Sequence, residues 1–155
     1  MRFLADAMLG RLARRLRQMG HDTLYMRDTP DSEVLRVARA EGRMLITRDT
    51  ELAGRANPAG TVLLRGNDTD GQLAELIGRL GPVMEGAGPP RCPRCNGALR
   101  EAASRAEVEA LVPEHVLHGH SGFYICSGCG NVYWEGTQYE AMMEMLEKFR
   151  GGETR

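Results

Sequence analysis

RFLADAMLGRLARRLRQMGHDTLYM, residues 2–26, decides the fold. Its ends, RFLA (2–5) and TLYM (23–26), are short apolar or β-branched runs of the length of buried strands. Between them, Met8 to Met19 sets Leu9, Leu12, Ala13, Leu16 and Met19 on one side. Arg11, Arg14, Arg15 and Arg17 fall on the other side, and Gly20 ends the run. That spacing is an amphipathic helix with a glycine stop. Strand, helix and strand with short joints form a parallel βαβ unit.

The pattern continues outward. Asp31 to Gly42 turns Val34, Leu35, Val37 and Ala38 toward a core and stops at a C-terminal glycine. MLIT (44–47) and TVLL (61–64) read as two further strands, and a last helix runs from about Gln72 to Leu80. Residues 1–81 are therefore expected to fold as a three-layer α/β/α sandwich around a parallel sheet.

Such a sheet collects ligands beyond the carboxyl ends of its strands. Asp6 follows the first strand directly, Asp28 the second, Asp49 the third and Asp68 the fourth. Asp31 and Glu33 open the second helix from the same edge, and Glu51 lies two residues past Asp49. Carboxylates gathered at one rim repel one another, and a multivalent cation removes that cost. Mg²⁺ or Mn²⁺ suits hard oxygen ligands, and a pair of such ions can activate a water against a phosphodiester. The arginine face of the first helix, including Arg14 and Arg15, can supply a grip on phosphate.

Plainer readings stand beside these. Asp31 after Pro30 fits a helix N-cap. Asp28 and Asp68 sit in the turn-like contexts RDTPD and RGNDTDG. Asp6 and Asp49 have no evident capping or turn duty. Arg14 and Arg15 also read as a solvated helix face. Other α/β chemistries lose their support: the α/β part has no lysine for a phosphoacceptor site, and no G-x-x-x-x-G-K-[ST], G-x-G-x-x-G or G-x-S-x-G occurs.

GPVMEGAGPP, residues 81–90, is rich in Gly and Pro, and 82–90 reads as a linker. Residues 91–155 then change character. RCPRCNG supplies Cys92 and Cys95, and ICSGCGN supplies Cys126 and Cys129. Two C-x-x-C turns, each closed by a glycine, can bring four thiolates to one tetrahedral Zn²⁺. A full ligand set leaves no open position, so the zinc is expected to be structural. His115, His118 and His120 fall in the loop between the turns and read as loop residues. Phe123, Tyr124, Tyr133 and Trp134 either stack bases or form the ribbon's core. Thr137 and Glu140 form a capping box that opens a final helix, with Met142, Leu146 and Phe149 on one face.

Composition agrees with a soluble globular chain: 42% hydrophobic and 26% charged. The net charge of −1 gives no global basic field to attract nucleic acid. Lys148 is the only lysine among 20 Lys and Arg residues, and arginine is the better bidentate phosphate ligand. No run approaches the roughly 20 apolar residues of a membrane span, and arginines interrupt the N-terminal stretch where a secretory h-region would lie. A cytoplasmic protein without a membrane partner is the expectation, since paired cysteines there point to metal rather than disulfides.

FLADAMLGRLARRLRQMGHDTLY, DSEVLRVARAEGRMLITRDTEL, the two cysteine turns and VYWEGTQYE together resemble the Mut-seven C-terminal RNase-domain family, whose members join a PIN-like nuclease fold to a zinc ribbon. The chain has Thr137 and Gln138 where relatives often have Ser-His. The resemblance implies a metal-dependent endoribonuclease whose acidic site is Asp6, Asp31 and Asp49. It implies Glu51 as the acid two residues beyond the T-R-D aspartate. Asp6, Asp31 and Asp49 would hold Mg²⁺ or Mn²⁺, and Arg11, Arg14, Arg15 and Arg48 would meet RNA phosphates. The alternatives are a non-catalytic RNA-binding zinc-ribbon adaptor, or a PIN-like toxin held by a partner protein. The sequence assigns neither a protein partner nor an oligomeric state.

Overall fold

The computed structural model describes residues 1–84 and 88–136. Two compact units divide the chain, Met1–Asn96 and Gly97–Arg155.

In the first unit the order is β1 (Arg2–Ala5), α1 (Gly10–Gln18), β2 (Asp22–Tyr25), α2 (Asp31–Ala40), β3 (Met44–Thr47), α3 (Thr50–Arg55), β4 (Thr61–Leu63) and α4 (Thr69–Leu80). The four strands form one sheet in the order β2-β1-β3-β4. All neighbours are parallel, with Leu4 opposite both Leu24 and Leu45, and Ile46 opposite Val62. Helices cover both faces, so the strands are apolar on both sides. Leu4 and Leu45 pack with Val34, Leu35 and Ala38 of α2 and Leu52 of α3. Leu12, Ala13 and Leu16 of α1, and Leu73 and Leu76 of α4, are equally buried. Each such leucine contributes about 1.5–3 kcal/mol by leaving water.

Two features depart from the sequence expectation. The six residues of α3 are a helix that hydrophobic spacing did not announce, because only Leu52 of them is buried. Arg17 belongs to the core, 6% exposed, and not to the solvated face of Arg11 and Arg14. Its guanidinium is buried because backbone carbonyls satisfy it: Nε donates to Thr23 O at 2.8 Å, and Nη1 to Pro93 O at 2.8 Å and Arg94 O at 3.3 Å.

Gly20 ends α1 at φ +91°, the left-handed conformation that favours glycine. A Cβ there would lie 1.9 Å from the Gly88 carbonyl oxygen, so the close approach of the chain at Gly88 requires glycine as well.

In the second unit, β5 (Leu99–Glu101), β6 (Phe123–Cys126) and β7 (Val132–Trp134) form an antiparallel sheet in that order. Two short helices, α5 (Arg105–Val108) and α6 (Glu114–Gly119), lie in the insertion between β5 and β6. Val108, Val116, Phe123 and Ile125 make its core. Phe123 is 3% exposed and therefore a core residue, whereas Trp134 keeps 38% of its surface in solvent, beside His120 at 6.3 Å between ring centroids. The final helix expected from Thr137, with Met142, Leu146 and Phe149, lies outside the described residues.

Candidate functional site

In the order β2-β1-β3-β4, the chain leaves β1 toward one side of the sheet and later returns on its other side as β3. The carboxyl ends of β1 and β3 therefore flank the topological switch point, where open α/β sheets bind ligands. Asp6 and Asp49 sit there. The backbone of Asp6 continues the ladder, its N–H donating to Ile46 O at 3.1 Å, so its position against β3 is fixed by the sheet.

Thr47, the last residue of β3, joins the two carboxylate positions. It is completely buried. Its hydroxyl donates to Asp6 Oδ2 at 3.0 Å and accepts the backbone N–H of Asp49 at 2.9 Å. One threonine thus ties the first acid to the loop that carries the second. No reading of Thr47 as a site residue came from the sequence; its place one residue before Arg48-Asp49 was the available signal.

Both aspartates also hold helix starts, which the sequence reading had denied them. Asp6 Oδ1 accepts the N–H of Ala7 at 2.7 Å at the head of the turn Ala7–Leu9. Asp49 is the N-cap of α3, its Oδ1 accepting from Glu51 N at 2.8 Å and Leu52 N at 3.1 Å. The cap duty appeared only with α3 itself. It spends one oxygen of Asp49 and leaves Oδ2 without a hydrogen bond among the described residues. Every carboxylate oxygen has two acceptor sites, so Asp6 too retains capacity for a cation.

Asp31 is differently placed. Pro30, not Asp31, is the N-cap of α2, and the Asp31 side chain makes no cap hydrogen bond. Its Oδ2 instead accepts from Arg55 Nη1 at 3.0 Å, pairing α2 with the last turn of α3. Glu51 is exposed in the first turn of α3. Asp68 caps α4 through Gly71 N at 2.8 Å, and Asp28 adopts φ +53°; both serve the local turns their sequence contexts suggested. Among the expected phosphate ligands, Arg11 and Arg14 are exposed without an ion pair among the described residues. Arg15 lies 3.7 Å from Asp70, and Arg48 donates to Asn67 Oδ1 at 2.8 Å.

The cysteines are arranged for a metal. One sulfur from each of Cys92, Cys95, Cys126 and Cys129 lies within 4.8 Å of all the others. Among the described residues, this is the one group of three or more His, Cys, Asp or Glu residues so closely gathered. Four soft sulfur ligands can hold an ion such as zinc. In the second turn, the N–H groups of Gly128 and Cys129 point at Cys126 Sγ, at 3.3 and 3.5 Å, and so orient that sulfur as a ligand. Cys92 and Cys126 are buried, Cys95 and Cys129 exposed.

No helix among the described residues is long and apolar enough to cross a membrane. Comparison with curated proteins and with solved structures found no match. The model of the family described as the Mut7-C RNAse domain matches residues 1–146, nearly the whole chain. With a parallel α/β sheet, acids at its switch point and a four-cysteine cluster, the chain belongs to the Mut7-C RNAse domain family, and its function is of the ribonuclease type.

Proposed function

We propose that the protein is a metal-dependent endoribonuclease that hydrolyses RNA phosphodiester bonds at the carboxyl edge of its parallel sheet. Asp6, Asp31 and Asp49 hold Mg²⁺ or Mn²⁺ in this reading, and Glu51 serves as auxiliary ligand or orients the attacking water. The observation that carries it is the Thr47 bridge, which fixes Asp6 and the Asp49 loop to each other at the β1/β3 switch point. A buried hydroxyl that donates to one carboxylate and accepts from the loop of another keeps both acids in place where their charges alone would drive them apart.

An ion held by Asp6, Asp31 and Asp49 would supply activation of a water and charge neutralisation at phosphate. The chain's own residues do the rest. Asp6 and Asp49 present free acceptor sites to the ion, while their remaining lone pairs are held by Ala7, Thr47, Glu51 and Leu52. Arg11 and Arg14, exposed on α1 just past Asp6, grip substrate phosphates with Arg15 and Arg48. Hydrolysis adds water across a P–O bond, with the proton passing to the leaving oxygen. The four cysteines hold Zn²⁺ as a structural ion, because four thiolates complete its coordination and leave no site for substrate.

One observation favours the second reading, a non-catalytic RNA-binding protein: Asp31 is spent on Arg55. In that reading the acids are caps and ties between helices. A labelled RNA panel incubated with zinc-loaded protein, with Mg²⁺, with Mn²⁺ or with no added ion, separates the two. Cleavage that requires the added ion and disappears in Asp49→Asn is the expected result. RNA binding without cleavage, unchanged in Asp49→Asn, supports the adaptor instead.

A further inference from the structure

Pro93 and Arg94 are the two residues between the cysteines of the first turn, and Arg17 Nη1 donates to the carbonyls of both. Asn96 closes the turn, its N–H donating to Cys92 O at 2.9 Å, and it stands at φ +68°. Its side chain reaches the edge strand β2: Oδ1 accepts Thr23 N–H at 3.0 Å and Nδ2 donates to Asp22 Oδ1 at 2.7 Å. The Arg91 backbone N–H donates to Arg17 O at 2.8 Å, and Arg91 Nε donates to Asn96 O at 2.9 Å.

The turn is thus seated on the sheet edge. An edge strand offers backbone groups that no neighbour pairs. Here Thr23 is buried, and both of its outward groups are taken, the N–H by Asn96 and the C=O by Arg17. The carbonyls of Pro93 and Arg94 in this turn face Arg17, and a part-buried carbonyl left without a donor is unfavourable. Arg17 meets that need from beneath, and its positive charge opposes the excess negative charge of a four-thiolate site. Asp22 is itself anchored: Arg43 Nη1 donates to its Oδ1 at 2.8 Å.

We propose that Arg17 and Asn96 are positioning residues for the metal centre: the β2 edge preorganises the Cys92–Cys95 turn for zinc, and bound zinc in return holds that turn against the edge. Linkage makes the coupling reciprocal. The proposal is independent of whether the carboxylate edge is catalytic.

Zinc affinity of the full chain, measured by competition with a chromophoric chelator, tests it in Arg17→Met and Asn96→Gly. Met keeps the apolar stem without donors, and Gly tolerates the φ of position 96 without the amide. Loss of such outer partners typically weakens metal binding about 10–100-fold, and Arg17→Met is expected near the upper end. Removing zinc from the wild type is expected to speed exchange of the Thr23 amide, which donates to Asn96. The Met26 amide, which donates to Ala5 O within the sheet, keeps its rate. Should Arg17→Met lose its far-UV circular dichroism, Asn96→Gly and the Thr23 amide decide alone. Weaker zinc binding in Asn96→Gly with faster Thr23 exchange supports the proposal. Wild-type affinity in Asn96→Gly with Thr23 exchange indifferent to zinc overturns it.

Discussion

The four cysteines and the carboxylate edge are both collections of metal-ligand residue types, yet the chain treats them differently. The sulfurs are gathered within 4.8 Å of one another, while no trio of carboxylates among the described residues is gathered so closely. Each of the three aspartates is instead held by its own donors: Asp6 by Ala7 and Thr47, Asp49 by the head of α3, Asp31 by Arg55. Under the proposed function, the difference follows from the ions. Zinc in a closed site takes all its ligands from protein, so the protein must assemble them all. Mg²⁺ keeps several waters and accepts substrate phosphate, so one or two fixed carboxylates suffice and a complete cage would exclude the substrate. A structural site is therefore finished by the fold, whereas an open site is only begun by it.

The comparison breaks first at the cysteines. Cys126→Ser combined with Cys129→Ser should unfold the ribbon, since structural zinc supplies on the order of 10 kcal/mol to such modules. Loss of amide protection at Ile125, with β1 and β3 still protected, is the expected pattern in hydrogen exchange. Global unfolding of Met1–Asn96 as well would show that the α/β core does not stand on its own apolar contacts.

A smaller effect, about 100–1,000-fold in cleavage rate, is expected for Asp6→Asn, the scale of losing one group that stabilises transition-state charge. The amide oxygen of asparagine still accepts from Ala7 N, but its Nδ2 cannot accept from the Thr47 hydroxyl, so a loss of about 1 kcal/mol of stability is expected as well. Thr47→Val sharpens the comparison further. Valine preserves shape but removes the hydroxyl, leaving Asp6 Oδ2 and Asp49 N without their partner, at a cost of about 1–3 kcal/mol. Denaturant midpoints measure that cost. Cleavage should fall with substrate affinity retained, because the change loosens acids rather than phosphate ligands.

The smallest effect lies away from both sites. Burial, helped by the N-terminal ammonium charge and opposed by the Met84 carbonyl that faces Nε2 at 3.3 Å, pushes the His21 imidazole down to about 4, and Nδ1 has no hydrogen-bond partner among the described residues. The folded state therefore refuses a proton that the unfolded chain accepts near 6.5. Stability is full above that value and is lost as pH falls from about 6.5 toward 4. His21→Phe should flatten this pH dependence of the unfolding midpoint in that window. A variant as pH-sensitive as the wild type would assign the effect elsewhere.

Much of the fold was legible because hydrophobic period and turn glycines act locally. RFLA and MLIT are strands over the residues expected, and α2 begins at Asp31. The cysteine cluster was legible because C-x-x-C carries its geometry in four residues. What escaped depends on partners distant in sequence. α3 buries one leucine and shows no periodicity, so Asp49 could not be seen as its cap. Arg17 shares its helix with solvated arginines, and only carbonyls 76 and 77 residues away explain its burial. Asp31 read both as a cap and as a site acid, and neither reading contained its pairing with Arg55 from another helix. Thr47 gains its meaning from a strand 41 residues earlier.

The most direct test of the open-site account is single-turnover cleavage of an RNA carrying a sulfur in place of a non-bridging oxygen at the scissile phosphate. If an ion held at Asp6 and Asp49 touches that phosphate, cleavage of one thio-isomer should collapse in Mg²⁺ and recover in Mn²⁺, which tolerates softer ligands. Equal rates for the oxygen and both sulfur substrates in Mg²⁺, with chemistry rate-limiting, would contradict it.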